Sequence, residues 1–412
     1  MTNWKETTLD EIADFRNGKG LSNDLYTDNG KYPVWGSNGQ IASTDELLNS
    51  DPVIVIGRVG AYCGSVYHID EPSWVTDNAI VAEAKGGNDL RFLYYLLKKL
   101  DIARTAIGSA QPLMTQGGLK VIPALVPADK KEQKRIAHIL GSLDDKIELN
   151  RRTNKTLEAM ARAIFQSWFV DFDPVLDNAL AAGNPIPAEL KEKAIRRKQQ
   201  KNKQPLPKEI KNLFPDSFQK SPLGPIPKGW KVSTIGTEFD LTMGQSPPGE
   251  SYNETGDGVV FYQGRRDFGF RFPAPRVYCN DPKRFAEKSD TLVSVRAPVG
   301  DVNMADEKCC IGRGVGAARH KSGSRSYTYY TMHHQGDMFK TFDTEGTVFG
   351  SISKKDFENM QCINPDPATV KLYEQKAFAI DEQIEINEQE NKTLTQLRDT
   401  LLPKLLTGKI EV

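Results

Sequence analysis

The sequence is written twice. Trp4-Lys5 through Gly18 recurs as Trp230-Lys231 through Gly244, an offset of 226, with Thr8 on Thr234, Leu9 on Ile235 and Asp14 on Asp240. Asp51 to Gly60 resembles Asp290 to Gly300, and matching the two terminal glycines gives an offset of 240; Arg58 and Arg296, 238 apart, occupy similar places in the repeat. Ile147-Glu-Leu-Asn150 recurs as Ile384-Glu-Ile-Asn387, and Asn154-Lys-Thr-Leu157 as Asn391-Lys-Thr-Leu394, both at 237. A constant offset in the last block and a drifting one earlier describe a helix of fixed length that follows a domain tolerant of loop insertions. The predicted order is domain, helix, domain, helix.

The repeated helical block carries a heptad seam. Ile136, Leu140, Leu143, Ile147, Asn150, Asn154, Leu157, Ala161, Ile164 and Trp168 alternate in steps of four and three. Tyr373, Ala377, Ile380, Ile384, Asn387, Asn391, Leu394, Arg398, Leu401 and Leu405 repeat the pattern. Two asparagines interrupt each seam at equivalent places, and a buried asparagine there gives up stability to fix register and partner. A paired coil fits this better than one helix packed on each domain's own core. A helix over 131–170 would be about 60 Å long.

The predicted divisions are a first domain at 1–128, a central helix at 129–172, a linker at 173–228, a second domain at 229–366 and a C-terminal helix at 367–412. The linker holds nine prolines between Pro174 and Pro227, and 189–211 has a charge balance of +6. It reads as a linker with one short helix near 188–200. Its basic run is either a solvated face or a contact with nucleic acid. Strand-like runs at 53–56, 79–82, 259–262 and 291–295, with a helix at 89–101 and a less regular counterpart at 326–341, make each domain mixed α/β.

Several classes drop out. Lys plus Arg equals Asp plus Glu, at 54 each. Met1 to Ile12 has no apolar segment of a signal peptide, and the longest aliphatic run is Val53-Ile-Val-Ile56, too short for a membrane span. Cys63, Cys279, Cys309, Cys310 and Cys362 form no CxxC pair, which points to a reducing cytoplasm without a disulfide frame or zinc site.

Catalytic signatures are also lacking. Gly312-Arg-Gly-Val-Gly-Ala317 matches a dinucleotide turn formally, but no helix pattern follows it. Asn364-Pro-Asp-Pro367 lacks the aromatic residue that would stack on a flipped base, and reads as a turn into the helix. There is no phosphate loop, no HExxH spacing and no nucleophile elbow. The adjacent His333-His334 is the only suggestive histidine pair, and Asp144-Asp145 on the central helix is expected to meet solvent. The chain looks like a binding scaffold. Basic character is uneven: 256–325 has a balance of +5 with nine arginines, whereas 1–128 has a balance of −4, awkward for a DNA-binding domain.

The ordered, duplicated motifs resemble the specificity subunit of type I restriction–modification systems. They stand as Trp4…Gly18, Tyr32-Pro-Val-Trp-Gly-Ser-Asn-Gly39, Ile56-Gly-Arg-Val-Gly60, Trp74-Val-Thr-Asp-Asn78, Phe261-Tyr-Gln-Gly264, Val295-Arg-Ala-Pro-Val-Gly300 and Ile311-Gly-Arg-Gly314. Phe165-Gln-Ser-Trp-Phe-Val-Asp-Phe172 and Pro227-Lys-Gly-Trp230 look like family joints. The resemblance covers essentially the whole chain. It implies a noncatalytic reader of double-stranded DNA, with two target recognition domains that each read half of a split, asymmetric site. It implies two long helices paired antiparallel with a pseudo-two-fold axis, serving as spacer and docking platform for two methyltransferase subunits, with restriction and translocase subunits joining them. S-adenosylmethionine, ATP and Mg would be bound by those partners and no cofactor by this chain. No membrane is involved.

Candidate DNA contacts lie in the Gly-rich turns. They are Lys19, Ser37, Asn38, Gln40, Arg58 and Gln111 in the first domain, and Gln245, Gln263, Arg265, Arg266, Arg296, Arg313 and Ser351 in the second. Arginine reads guanine and Asn or Gln reads adenine, while Arg265 and Arg266 could hold phosphates only. Arg58 and Arg296 could instead each anchor a loop to a carboxylate, and Asn38 and Gln40 could stabilise a turn. Trp168, Phe169 and Phe172 are assigned to a partner interface, the alternative being a local core. Competing readings are a single-chain methyltransferase or nuclease and a coiled-coil adaptor without nucleic acid.

Overall fold

The computed structural model describes residues 4–108, 112–199, 206–344 and 350–411. The chain divides into two compact units, Met1–Asn150 with Gln389–Val412, and Arg151–Glu388.

In the first unit, β1 (Ala13–Asn17), β2 (Val53–Gly57), β3 (Val66–Ile69) and β4 (Ala79–Ala84) form an antiparallel sheet in the order β1-β4-β2-β3. Val53 to Ile56 are all buried. Ile54 and Ile56 face α1 (Leu90–Lys99), while Val53 and Val55 pack beneath a second sheet, which explains an unbroken rather than alternating apolar run. The second sheet pairs Tyr32–Gly36 with Gly39–Thr44 antiparallel and with Trp74–Val75 parallel. Helix α1 starts where the Asp89 carboxylate accepts the Phe92 N–H at 2.8 Å.

The second unit repeats this plan. β5 (Phe239–Met243), β6 (Thr291–Ser294), β7 (Val302–Met304) and β8 (Val315–His320) form an antiparallel sheet in the order β5-β8-β6-β7. Helix α2 (Arg325–His334) covers it, and Val259–Tyr262 pairs parallel with Cys309–Ile311 in the second sheet. In both units the entering and leaving strands pair antiparallel: Trp4–Thr8 with Pro123–Pro127, and Lys231–Thr234 with Gln361–Asn364. Each leaving strand runs into a long helix capped by an aspartate. Asp129 accepts from the Lys131 N–H at 2.9 Å and Asp366 from the Ala368 N–H at 2.8 Å.

The central helix is Lys130–Phe165 and the C-terminal helix Pro367–Leu405. Within each unit they run antiparallel. In the first, Asn150 Nδ2 donates to Asn391 Oδ1 at 3.0 Å and to Glu390 at 2.8 Å. In the second, Asn387 Nδ2 donates to Asn154 Oδ1 at 2.7 Å and Asn154 Nδ2 to Glu388 at 2.8 Å. Ile136, Leu140, Ile147, Asn150, Asn154, Ile384 and Asn387 are buried, and Leu143, Leu157, Ile380, Asn391, Leu394 and Leu401 half-buried. The helical period turns one stripe inward, and the seam amides pair with each other instead of with water.

Two expectations are corrected. The segment 173–228 is more than a linker with one short helix near 188–200, although that helix is present. Its described residues form the helices Asp173–Ala182, Lys191–Gln199 and Lys208–Lys211 and the hairpin Phe218–Ser221/Gly224–Pro227. Val175, Ile210 and Phe214 join the core of the second unit. Part of the basic run is neutralised, since Arg197 meets Asp173 at 2.8 Å and Asp177 at 2.7 Å. Trp168, Phe169 and Phe172 are likewise no exposed partner patch. At 4–6% exposed, they pack on Phe214, Tyr373 and Trp230 as a local core.

Truncating Asn154→Ala strands the Asn387 amide, and is expected to cost about 1–3 kcal/mol in chemical denaturation. The double replacement N154L/N387L removes both polar groups and should be neutral or stabilising by the same measurement.

Candidate nucleic-acid interface

The turns at one end of each main sheet are tied together by equivalent backbone hydrogen bonds. Gly18 N–H donates to Ala79 O at 3.0 Å and Gly244 N–H to Val315 O at 2.9 Å. Lys19 N–H reaches Val75 O at 2.9 Å and Gln245 N–H reaches Ile311 O at 3.0 Å. A Cβ on Gly18 would lie 2.1 Å from Thr76 O, and one on Gly244 2.2 Å from Gly312 O. No side chain fits there, so glycine closes β1 and β5 alike.

In the first unit, Lys19 is exposed, its ammonium 6.0 Å from the Trp74 ring centre. Ser37 and Asn38 form the tip of the Tyr32–Thr44 hairpin. The Ser37 hydroxyl donates to Asn78 O and accepts from the N–H of Arg58 at 3.1 Å and of Val59 at 3.2 Å. Ser37 is therefore a latch joining three turns rather than a free reader. Asn38 and Gln40 beside it are exposed. Arg58 is half-buried and donates from Nη1 to the backbone carbonyl of Asp77 at 3.2 Å, not to a carboxylate. Gln111 lies outside the described residues.

In the second unit, Gln245, Gln263, Arg265, Arg266, Arg296, Arg313 and Ser351 are all exposed. Gly314 N–H donates to Gln263 O at 3.1 Å, Arg313 Nε to Ser246 Oγ at 3.4 Å, and Arg265 forms an ion pair with Asp301. Arg296 bridges Ser351 through the backbone.

The structure corrects the match between Arg58 and Arg296. Met114 N–H donates to Arg58 O as Ile352 N–H does to Val295 O, and the bridge Val59↔Leu113 has its counterpart in Arg296↔Ser351. Arg58 therefore corresponds to Val295, and Arg296 to Val59. A slip of one residue turns an extended side chain to the opposite face. That is why Arg58 is drawn in and Arg296 points out.

Several residues at these ends escaped sequence reading. Ile41, Tyr62, Ile107 and Leu113 are large exposed apolar side chains in the first unit. Their only sequence signal is isolated apolar residues among turn residues. In the second unit, a cleft of about 920 Å³ gathers Arg162 of the central helix with Arg265, Arg266, His333, His334 and Lys340. The histidine pair does share one cavity, since both residues at the end of α2 line its wall. Arg162 was missed because heptad reading treats positions off the seam as solvated.

Gly312 to Ala317 leads from a strand into β8, not into a helix. Among the described residues no His, Cys, Asp and Glu group could hold a metal ion, and no helix is long and apolar enough to cross a membrane.

Two copies of one α/β unit, each offering a different set of polar, basic and apolar side chains on the same turns, define a bipartite recognition scaffold. The sequence profile of the type I restriction modification DNA specificity domain matches residues 1–159 and 227–396. The chain is 27% identical over 329 residues to the HindI specificity subunit of Haemophilus influenzae, covering 73% of this chain and 71% of that one. It is 39% identical over 200 residues to the MjaX specificity subunit assigned in Methanocaldococcus jannaschii, 48% of this chain and about half of that protein, at 47%. The fold is similar to that of a crystal structure of the M. genitalium type I S subunit, with TM-score 0.64, 18% identity, and coverage of 98% and 96%. This chain belongs to the type I restriction–modification specificity family, the noncatalytic DNA-recognition subunits of these systems.

Burial pushes the His320, His333 and His334 imidazoles below their usual pKa, with the Arg162 cation adding to the effect on His333 and His334. Below about pH 6.5 the unfolded chain takes protons that these rings refuse in the fold, so stability falls as pH drops through that value. Glu158 and Glu374, raised by burial, act oppositely but nearer their own range. The urea midpoint should therefore drop between about pH 7.5 and 5.5, and H333Q/H334Q should narrow that drop. An unchanged drop would acquit the pair.

Proposed function

We propose that this chain reads double-stranded DNA within a type I restriction–modification complex. Each unit's turns read one half of a bipartite, asymmetric site, and the helices act as spacer and docking platform. The observation that carries this is the conserved skeleton of backbone hydrogen bonds at the strand ends of both units, fitted with different side chains. One skeleton aims both sets of side chains in the same way, while the difference between the sets makes the half-sites differ. In the second unit Arg296 and Arg313 suit guanine, Gln245 and Gln263 suit adenine, and Arg266 with the basic cleft suits phosphates. In the first, Asn38, Gln40 and Lys19 supply polar contacts beside an apolar rim.

The occupants proposed for the helices are two methyltransferase subunits, with restriction and translocase subunits joining in the cytoplasm. S-adenosylmethionine, ATP and Mg would be handled by those partners. Leu149 and Ile386 stand 237 apart and are 59% and 60% exposed; Met160 and Leu397 repeat the spacing at 52% and 45%. Large apolar side chains left in water at repeated positions suit two copies of one partner. L149E/I386E should abolish co-purification of the methyltransferase with this chain while far-UV circular dichroism is unchanged. Retained co-purification would move the docking surface elsewhere.

A methylation map of the host with and without the gene tests the reading and supplies both half-sites. In the assembled complex, Arg296→Ala should weaken cognate DNA binding by about 1–3 kcal/mol, and Arg266→Ala should reduce the salt slope by about one. A coiled-coil adaptor without DNA readout draws on the net-acidic first domain. It would be favoured if the complex had no salt-dependent affinity for duplex DNA.

A further inference from the structure

Asp144 and Asp381 stand at equivalent places in the repeated helical block, 237 residues apart. Neither simply meets solvent. Tyr95 and Tyr330 are each the sixth residue of the domain helix that faces them, α1 and α2. In the first unit, Tyr95 Oη donates to Asp144 Oδ2 at 2.6 Å and Arg398 Nη1 donates to Asp144 Oδ1 at 2.7 Å. In the second, Tyr330 Oη lies 3.4 Å from Asp381 Oδ1, and Arg271 Nη1 donates to the same oxygen at 2.6 Å. Arg271 Nη2 also donates to Tyr330 Oη at 3.0 Å.

The same three residue types thus meet twice, but the arginine comes from different places. Arg398 belongs to the C-terminal helix, whereas Arg271 belongs to the second domain, between β5 and β6. Its guanidinium is fully buried, lies 4.0 Å over the Tyr329 ring and approaches Glu158 of the central helix at 3.6 Å. The meeting of the same three side chains, though with different hydrogen-bond patterns and from two sources of charge, is not expected of a leftover polar contact. It is a weak way to glue a domain down. A buried ion pair repays little more than its own desolvation, and Arg271 Nε, Glu158 Oε2 and Asp381 Oδ2 lack hydrogen-bond partners. Apolar packing would hold the domain as firmly and would let it slide. Directional bonds from a domain-helix hydroxyl to a helix aspartate fix an angle instead.

We propose that the repeated tyrosine–aspartate–arginine clamp is a positioning device. It sets the orientation of each recognition domain on its own stretch of the helix pair, and thereby the spacing between half-sites that the complex accepts. This rests on the DNA-reading function proposed above. Tyr95, Tyr330, Asp144, Asp381, Arg271 and Arg398 act through the domains they hold rather than on DNA.

The test uses the complete complex with its methyltransferase subunits. Binding is measured to duplexes carrying the mapped site and to duplexes whose spacer is longer or shorter by one base pair. Tyr95→Phe and Tyr330→Phe remove one hydroxyl each and leave the ring packing in place. The expected result is near-unchanged affinity for the mapped site, and a preference over altered spacers that falls about tenfold, the scale of one charge-assisted hydrogen bond. Asp381→Asn should lower it further; if that variant does not assemble, the tyrosine variants decide. Equal spacer preference in wild type and both tyrosine variants overturns the clamp and leaves DNA reading intact. No preference of the wild-type complex for the mapped duplex overturns both.

Discussion

A pair of carboxamides in an apolar seam disciplines the rest of this molecule. Asn154 and Asn387 are buried, and their hydrogen-bonding groups are satisfied by each other and by Glu388 and Gln383 beside the seam. Sliding one helix past the other by a turn would leave amides facing leucine and isoleucine, at a cost of kilocalories per group. Asn150 and Asn391 repeat the arrangement. Register is therefore set by polar groups, while Ile136, Leu140, Ile147 and Ile384 supply the burial. Because each long helix begins directly after the strand that closes its domain, fixing the helices also fixes the exit of each domain. Asp129 and Asp366 hold that junction by capping the helices at equivalent positions.

The recognition ends obey a different economy. Backbone groups there are bound to one another across turns, and glycine is imposed at Gly18 and Gly244 by carbonyls little more than 2 Å from where a Cβ would stand. With the main chain self-sufficient, side chains at intervening positions can change without disturbing the turn. Asp77 and Arg313 occupy the corresponding place in the two units, each just before the residue pair that opens β4 or β8. An acid in one and a base in the other are equally well accommodated. Such a scaffold can alter what it recognises without altering how it folds.

The repeat, the seams with their asparagines and the α/β character of both domains were legible in the sequence, because each depends on periodicity or on identity at a constant offset. The Pro-rich stretch misled, since proline and charge also suit short helices pinned by ion pairs such as Arg197 with Asp173 and Asp177. Trp168, Phe169 and Phe172 were legible as apolar but not as covered, because what covers them, Phe214, Trp230 and Tyr373, is supplied from far along the chain. Asp144 looked solvated for the same reason: Tyr95 and Arg398 lie 49 and 254 residues away. Ser37 looked like a reader and is a latch, because a hydroxyl's partners are set by loops that meet only in three dimensions.

By itself, the sequence determined that two like domains alternate with two like helices, and which face of each helix turns inward. Period and duplication are properties of a string, and burial of an apolar stripe follows from them. Only the tertiary structure decided which turn residues point outward and which hold loops together. A one-residue difference in register separates Arg58 on a backbone carbonyl from Arg296 at the surface, and in an extended chain that single step reverses the direction of the side chain.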